Sequence, residues 1–389
     1  MARFASGGGT RDSDRLVHDG KGARMLAIGL MSGTSLDGID AALIDTDGRQ
    51  AVRAIAFRGE PYSDAARAQL AEATALALTY PRPRASPELV AAGALITRTH
   101  TLAVQKLLRD AGVAAAEVGV IGFHGQTVAH RPDRRWTWQI GDGQVLADAT
   151  GIRTVADFRS ADVAAGGQGA PLIPVYHAAL AAGLEGPVAI LNLGGVANVT
   201  LIDGGAAVAA FDTGPANGLV DSWVEQESGA RFDKGGALAA AGRVDETILT
   251  AMLDHPFFDA PFPKSLDRND FTIQPARGLS AADGAATLTA FTAASVAEGL
   301  RLLPAHPRRL LVAGGGRHNP TLLRMIAERT GLQPEPVDAL GWDGDAMEAE
   351  GFAYMAVRTL EGLPISFPGT TGAPGAMPGG TVFVPSAAG

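Results

Sequence analysis

Short runs of apolar residues alternate with helical patterns along the chain, which favours an α/β fold. The first two runs, 25–28 and 39–44, are of strand length. They flank a segment, 32–38, that holds two glycines, three hydroxyls and one carboxylate. Two strands joined by a short, glycine-rich connection predict an antiparallel β-hairpin. We therefore expect a hairpin with a polar turn near the start of the fold.

A second unit of the same kind lies near the middle of the chain. Strands are predicted at 188–193 and 196–202, with Gly194 and Gly195 forming the turn, and a third strand at 206–211. The recurrence of strand, glycine turn and strand predicts an internally duplicated architecture. The two hairpins are expected to face each other across a cleft.

The rest of the pattern predicts helices and single strands around the two hairpins. Further strands are predicted at 51–62, 118–123, 136–143, 152–156 and 309–313. Helices are predicted at 63–77, 86–110, 281–303, 320–330 and 345–360, with others starting near 218 and 232. Ser86 followed by Pro87 is a typical helix start, because serine caps free amide groups and proline suits the first turn.

Composition excludes several classes of protein. Of 389 residues, 46% are hydrophobic and 19% are charged, which is a globular balance with room for two domains. The net charge is −9 and lysine and arginine form no cluster, so nucleic acid is not an expected partner. The chain has no cysteine, which excludes disulfides, thiolate chemistry and cysteine-bound zinc.

Neither a membrane span nor a signal peptide is predicted. No apolar run reaches the ~20 residues that a membrane span needs, so no membrane partner is expected. Residues 1–24 lack the apolar region of a signal peptide. We interpret them as a disordered leader of a cytoplasmic protein, and we expect 373–389 to form a loose tail.

The polar turn of the first hairpin predicts a phosphate-binding loop. Its hydroxyls and backbone amides suit phosphate oxygens, and the carboxylate of Asp37 suits a metal bound through water. The Walker pattern and the dinucleotide fingerprint are both absent. A phosphate loop set in a hairpin resembles the ATPases of the actin, hexokinase and Hsp70 superfamily; the alternative is a surface hairpin with a polar tip. The predicted ATP contacts are Ser32, Gly33, Thr34, Ser35, Leu36, Asp37 and Gly38.

The second hairpin and a triple glycine extend the predicted nucleotide site. Two hairpins on opposite walls of a cleft are suited to hold a triphosphate. The glycines between the strand at 309–313 and the helix at 320–330 let a flat ring lie against the backbone. The further predicted ATP contacts are Asn192, Gly194, Gly195, Asn198, Gly314, Gly315, Gly316 and Asn319.

A second group of polar residues suits a sugar or polyol. Three of its members follow the buried strand 118–123, at the place where open α/β sheets bind ligands. Others crowd the segment 157–171 among glycines. The alternatives are a capped strand end and a structural aspartate–arginine pair. The predicted substrate contacts are His124, Gly125, Gln126, Asp157, Arg159, Asp162, Gln168 and Gly169.

Two sequence strings are specific enough to indicate a family. They are Met31-Ser32-Gly33-Thr34-Ser35-Leu36-Asp37-Gly38 and Gly166-Gly167-Gln168-Gly169-Ala170-Pro171. Together with blocks that include 192–200, 211–223 and 345–372, the chain after its leader resembles the anhydro-N-acetylmuramic acid kinase family.

The resemblance implies a fold and a reaction. The fold would be the two-domain actin/hexokinase-like (ribonuclease H-like) ATPase fold with an interdomain cleft, with domain I at 25–155 plus 345–372 and domain II at 156–344. The enzyme would be a phosphotransferase that needs ATP and Mg²⁺. It would open the 1,6-anhydro bridge of anhydro-N-acetylmuramic acid with water and phosphorylate O6, as a homodimer active in cell-wall recycling.

The resemblance also implies residue roles. Asp212, in the motif Phe-Asp-x-Gly-Pro, would be the general base, and a turn or cap aspartate is the alternative for this residue. Glu348 and Glu350 lie two positions apart and cannot share a helix face, so at most one is expected in the cleft. The side chains that would hold the sugar are Arg159, Asp162, Gln168 and Glu348.

Two other functions remain open at this point. One is a conventional sugar kinase of the same superfamily, which acts on an existing hydroxyl. The other is a non-enzymatic, ATP-gated clamp or filament protein. The dense polar run at 157–168 argues against the second.

Overall fold

The computed structural model describes residues 23–266 and 270–387, so the predicted leader lies outside it except for its last two residues. The described strands are β1 (Met25–Ser32), β2 (Gly38–Thr46), β3 (Val52–Pro61), β4 (Val118–Arg131), β5 (Trp136–Ile140), β6 (Thr154–Ala156), β7 (Val188–Leu193), β8 (Val196–Asp203), β9 (Ala206–Pro215), β10 (Arg309–Ala313), β11 (Pro334–Pro336) and β12 (Thr381–Phe383). The described helices are α1 (Asp64–Thr79), α2 (Pro87–Ala111), α3 (Gly143–Thr150), α4 (Ser160–Ala165), α5 (Pro174–Leu180), α6 (Asn217–Ser228), α7 (Ala237–Ala241), α8 (Glu246–Leu253), α9 (Pro256–Asp259), α10 (Ala281–Arg301), α11 (Pro320–Thr330), α12 (Met347–Leu360) and α13 (Pro368–Thr371).

Two β-sheets of the same plan organise the described chain. The first has the order β12-β6-β4-β1-β2-β3, with β5 also paired to β4, and the second has the order β11-β10-β7-β8-β9. In each, one strand (β1 or β7) starts an antiparallel meander on one side and pairs with a parallel strand on the other. The predicted α/β fold with two glycine-turned hairpins is therefore confirmed.

Helix α12 lies directly against the first sheet because two glycines leave room for it. Gly29 of β1 pairs with Gly122 of β4. A Cβ atom on Gly29 would lie 1.7 Å from the carbonyl oxygen of Ala349, and one on Gly122 would lie 2.1 Å from that of Phe352. This close approach sets the position of the first turn of α12, where Glu348 lies.

An apolar layer joins the two sheets. One hydrophobic cluster contains Ala27 and Val120 of the first sheet, Ile190 and Leu311 of the second, and Phe352 of α12. Separate clusters cover the outer faces, where α2 packs on the first sheet and α6 and α10 pack on the second. The inner layer brings the two hairpins toward one junction.

Two predicted boundaries are wrong. Strand β4 does not end at Phe123 but continues to Arg131, because β5 pairs with its second half. His124, Gly125 and Gln126 therefore lie inside the strand. The tail is not loose throughout, because Thr381–Phe383 forms β12 and pairs with β6. In the described ranges, no helix has both the length and the apolar character that crossing a membrane requires.

We predict that Gly29→Ala lowers the free energy of unfolding by about 3 kcal/mol, because a methyl group forces α12 away from the sheet. The midpoint of urea unfolding measures the effect. Gly183→Ala is the matched control, since a Cβ there meets no atom within 4 Å. The control is expected to change stability by less than about 0.5 kcal/mol. Equal stability of the two variants would contradict this account of the packing of α12.

Candidate active site

Three polar side chains form a row across the second hairpin. Asn192 of β7 lies opposite Asn198 of β8, which in turn lies opposite Asp212 of β9. Directly opposed residues point to the same face of a sheet, with Cβ atoms roughly 5 Å apart. The second hairpin therefore presents two amides and one carboxyl side by side.

Asp212 is a buried carboxyl with one fixed oxygen. Its Oδ2 accepts a hydrogen bond of 2.8 Å from the backbone N–H of Leu266, and its own N–H donates to the carbonyl of Lys264 at 3.0 Å. Burial raises the pKa of Asp212 to about 7, although the bond from Leu266 and the charge of Arg159 both lower it. The side chain can accept and release a proton near neutral pH.

Arg159 is the cation whose charge acts on this carboxyl. Its Nε donates to Nε2 of His124 at 3.0 Å, and its Nη1 donates to the carbonyl of Gly169 at 2.6 Å. Burial lowers the pKa of Arg159 to about 10, while the carboxylates of Glu348, Asp212 and Asp162 raise it. The guanidinium remains charged at neutral pH and faces three acidic groups.

Glu348 connects α12 to the second hairpin. Its Oε1 accepts a hydrogen bond of 3.0 Å from the amide of Asn192, and burial raises its pKa. Glu350 faces elsewhere and accepts a bond of 2.5 Å from the hydroxyl of Tyr176. The two glutamates therefore point to different partners, as their spacing predicts.

Asp162 holds the backbone of the loop after α4. Its Oδ2 accepts from the N–H of Gly169 and its Oδ1 accepts from the hydroxyl of Thr371, both at 2.6 Å. Gln168 in the same loop donates through its N–H to the carbonyl of Thr371 at 2.6 Å, and its side-chain oxygen accepts from Ser265 at 3.1 Å. Both carboxylate oxygens of Asp162, predicted to contact substrate, are thus bonded within the protein.

Ser32 and Gln126 support the first hairpin from inside. The hydroxyl of Ser32 donates to Oε1 of Gln126 at 2.5 Å and lies 2.8 Å from the hydroxyl of Tyr62. The amide of Gln126 donates to the carbonyl of Gly33 at 3.2 Å. Both side chains are buried, whereas Thr34, Ser35 and Asp37 are exposed at the turn. The exposed part of the turn is therefore held in place by buried amide and hydroxyl bonds.

The turn of the second hairpin is tied to the start of α6. The carbonyl of Gly194 accepts from the N–H of Asn217, and that of Gly195 accepts from Ala216 and Gly218. The side-chain amide of Asn217 donates to the carbonyl of Leu193 at 2.9 Å. These bonds fix the second glycine turn.

The triple glycine lies against the same hairpin. A Cβ atom on Gly314 would lie 2.4 Å from Oδ1 of Asn192, and one on Gly316 would lie 2.5 Å from the side chain of Leu193. Asn319, predicted to contact ATP, instead caps α11 by accepting from the N–H of Leu322 at 3.0 Å. The glycine loop is thus within contact of the predicted phosphate turn, and Asn319 has a structural partner.

Five of the predicted site residues lie together, whereas Asp157 and His124 have different surroundings. The structure brings Asn192, Asn198, Asp212, Arg159 and Glu348 to one junction. Asp157 is exposed, and its most distinctive feature is its left-handed backbone conformation, with a φ of 57°. His124 is buried behind Arg159 rather than open to the junction.

Sequence reasoning missed Asp40. This residue lies in β2 opposite Met31, and burial together with the charges of Glu348, Asp345, Asp343 and Asp37 raises its pKa to about 7. Its signal was a carboxylate inside an otherwise apolar strand. Among the described residues, no three metal-binding side chains form a ready-made cluster.

A family model described as anhydro-N-acetylmuramic acid kinase matches residues 25–385. The chain belongs to this family. It is 67% identical over 363 residues to "Anhydro-N-acetylmuramic acid kinase" of Rhizorhabdus wittichii, a match that covers 93% of this chain and 100% of the relative. The protein of the same name from Zymomonas mobilis is 51% identical over 362 residues, covering 92% and 99% of the two chains.

Similarity to solved structures is weaker. A glucokinase of the ROK family from Streptomyces griseus, solved with glucose and AMPPNP, matches with a TM-score of 0.40 and 15% identity. The match covers 85% of this chain and 97% of that chain.

We predict that Thr371→Val lowers the free energy of unfolding by about 2 kcal/mol, because Asp162 loses a charge-assisted hydrogen bond while staying buried. The neighbouring Thr370→Val is the matched control, since its hydroxyl donates only to the carbonyl of Phe367, at 3.3 Å. Urea unfolding of the two variants measures the difference. Equal midpoints would show that the bond to Asp162 does not support the loop.

Proposed function

We propose that this protein is an ATP-dependent anhydro-N-acetylmuramic acid kinase. It opens the 1,6-anhydro ring with water and transfers the γ-phosphoryl group of ATP to O6, giving N-acetylmuramic acid 6-phosphate and ADP. Membership of the family supports the reaction. The observation that carries the mechanism is the carboxyl of Asp212, which is buried, feels the charge of Arg159 and has a pKa of about 7.

In the proposed reaction, Asp212 takes the proton of the attacking water. Its Oδ2 is bonded to the N–H of Leu266, so Oδ1 is the atom that we assign to the water. The water oxygen forms a bond to the anomeric carbon as the bond from that carbon to O6 breaks. The electron pair left on O6 attacks the γ-phosphorus, and ADP leaves. Arg159 keeps Asp212 ionised enough to act as the base.

The two glycine turns are the proposed phosphate contacts. Gly33, Thr34 and Ser35 form the accessible part of the first turn, with backbone N–H groups suited to phosphate oxygens. Gly194 and Gly195 form the second. The adenosine is assigned to Gly314–Gly316, where the absence of side chains lets a ring lie against the backbone.

The sugar is assigned to the space between the loop after α4 and the first turn of α12. Arg159, Gln168 and Glu348 are the proposed contacts, because each lies at this junction and can donate or accept hydrogen bonds. In this proposal, Asp162 supports the loop after α4, and Gln126 supports the turn of the first hairpin. Asp157 remains a predicted substrate contact on the sequence alone.

Magnesium fits the donor set near the first turn. Burial and, to a smaller extent, the charges of Glu348, Asp345, Asp343 and Asp37 raise the pKa of Asp40, so a cation there would relieve their repulsion. Magnesium takes few protein ligands and completes its shell with phosphate oxygens and water, so a protein cage is not required. Asp37 and Asp40 are the residues that we propose to hold it, directly or through water. Bound with ATP, it would supply charge neutralisation at the phosphate oxygens.

The cellular setting belongs to the same proposal. Peptidoglycan recycling and a homodimer stay predictions, supported by the resemblance on which they were made. A cytoplasmic location also stays a prediction, which rests on the sequence and not on the resemblance. The domain boundaries 25–155 plus 345–372 and 156–344 also stay predictions. The two sheets support them, except that β6 of the first sheet crosses the boundary at 155 and β12 lies in the predicted tail.

Release of ADP in ¹⁸O-labelled water tests the proposed function. We predict that ADP appears only when the anhydro sugar is present, and that one label enters the anomeric hydroxyl of the product. A conventional sugar kinase would release ADP without placing label in the product. Absence of sugar-dependent ADP release would contradict both enzymatic functions and would favour an ATP-gated clamp.

We predict that Asp212→Asn lowers kcat by about 10³-fold or more, because an amide cannot take the proton from water. Binding of ATP and of the sugar, measured by calorimetry, is expected to persist, since asparagine keeps the size of the side chain and the acceptor for Leu266. Asp203→Asn is the control, because Asp203 is an exposed aspartate in the same sheet. Activity of the Asp212 variant near that of the wild type would remove this residue from the mechanism.

A further inference from the structure

His124 has a defined tautomer. Its Nδ1 lies 2.9 Å from the carbonyl oxygen of Gly125, and a carbonyl can only accept, so Nδ1 carries the hydrogen. The other ring nitrogen, Nε2, then offers a lone pair. This nitrogen lies 3.0 Å from Nε of Arg159, which can only donate. The two contacts agree on one neutral form of the imidazole.

The surroundings favour this neutral form. The imidazole is buried, with 4% of its surface exposed, and its centroid lies 4.7 Å from that of Phe352. Burial lowers the pKa of His124 well below its ordinary value, and the charges of Arg159 and His100 lower it further. A protonated ring would lose its bond to Arg159 and face a like charge.

The bond that Nε of Arg159 donates to His124 fixes one edge of the guanidinium. A second bond, from Nη1 to the carbonyl of Gly169 at 2.6 Å, fixes another. Two bonds to a rigid planar group determine its plane and its rotation. Among the described residues, no protein atom accepts from Nη2, while Glu348, Asp212 and Asp162 lie within range of the charge.

We propose that His124 is a positioning residue, a neutral hydrogen-bond acceptor that holds Arg159 in the orientation in which its charge acts on Asp212. This inference rests on the proposed function of Asp212 as the base. It replaces the direct substrate contact expected for His124 from the sequence. Arg159 is the only charged group whose interaction with Asp212 the structure identifies among the described residues.

Loss of this acceptor has a specific consequence. In His124→Leu, the Nε–H of Arg159 loses its acceptor, so the guanidinium rotates to find another. Its charge then acts more weakly on Asp212, and the pKa of that carboxyl rises. Because the ionised form is the base, kcat/KM falls most at low pH and recovers at high pH.

The pH dependence of kcat/KM for the anhydro sugar tests the proposal. In His124→Leu, we expect the acidic limb to move up by about one pH unit, with a roughly tenfold loss below the limb and near-normal activity well above it. His124→Gln, whose side-chain oxygen can accept from Arg159, is expected to restore much of the wild-type limb. The KM for ATP is expected to stay within about twofold in both variants, because the proposed nucleotide contacts are left unchanged.

His177→Leu is the matched control. His177 is buried as well, and its Nδ1 contacts the hydroxyl of Thr200 at 2.9 Å, but its Nε2 has no hydrogen-bond partner among the described residues. We expect the limb of this variant to coincide with that of the wild type. A limb that is unchanged in His124→Leu, with only the KM for the sugar raised, would overturn the positioning role and restore a direct substrate contact.

A second measurement does not depend on activity. In ¹⁵N NMR spectra of the labelled protein, we expect His124 to show a protonated Nδ1 and an unprotonated Nε2 from pH 5 to 9. Arg159→Met should move the Nε2 resonance. A protonated Nε2, or no response to Arg159→Met, would overturn the inference even if sugar-dependent ADP release is found. If ADP release is absent but these signals are as expected, the proposed function alone fails.

Discussion

The proposed reaction depends on one buried carboxyl, that of Asp212, whose pKa stays near neutral pH. Removal of Asp212 from water favours its neutral form, whereas the charge of Arg159 and the N–H of Leu266 favour the anion. The balance leaves a pKa of about 7, which suits a base that must gain a proton from water and release it again. Either stronger burial or a stronger effect of the charge of Arg159 would move the pKa out of this range.

The fold supplies this balance from both sheets. Asp212 stands at the end of a row of polar side chains across the second hairpin. Arg159 approaches from the loop before α4, which follows the first sheet, and Glu348 approaches from α12, which two glycines of that sheet hold close. Because Asp212 belongs to the second sheet and Arg159 is bonded to His124 of the first, a change in the distance between the sheets would change the basicity of Asp212.

Much of the fold is predictable because its signals are local. The two glycine-turned hairpins, the capped start of α2 and the family-specific strings can all be read within a few residues. The direction in which a side chain points, by contrast, depends on residues that are distant in the sequence. Gln126 and Asp162 carry the expected polar groups but direct them at the chain itself, and Asn319 caps a helix. Asp40 lies within the apolar run 39–44, and the carboxylates whose charges act on it can be identified only in the folded chain.

A structure of the protein with a non-hydrolysable ATP analogue and the intact anhydro sugar tests the central claim most directly. We predict that the phosphates lie between the turns at 33–35 and 194–195. The anomeric carbon of the sugar should lie beside Asp212, with a water molecule between it and the free carboxylate oxygen. A sugar bound with its anomeric carbon away from Asp212, or a nucleotide in a separate cavity, would contradict the account.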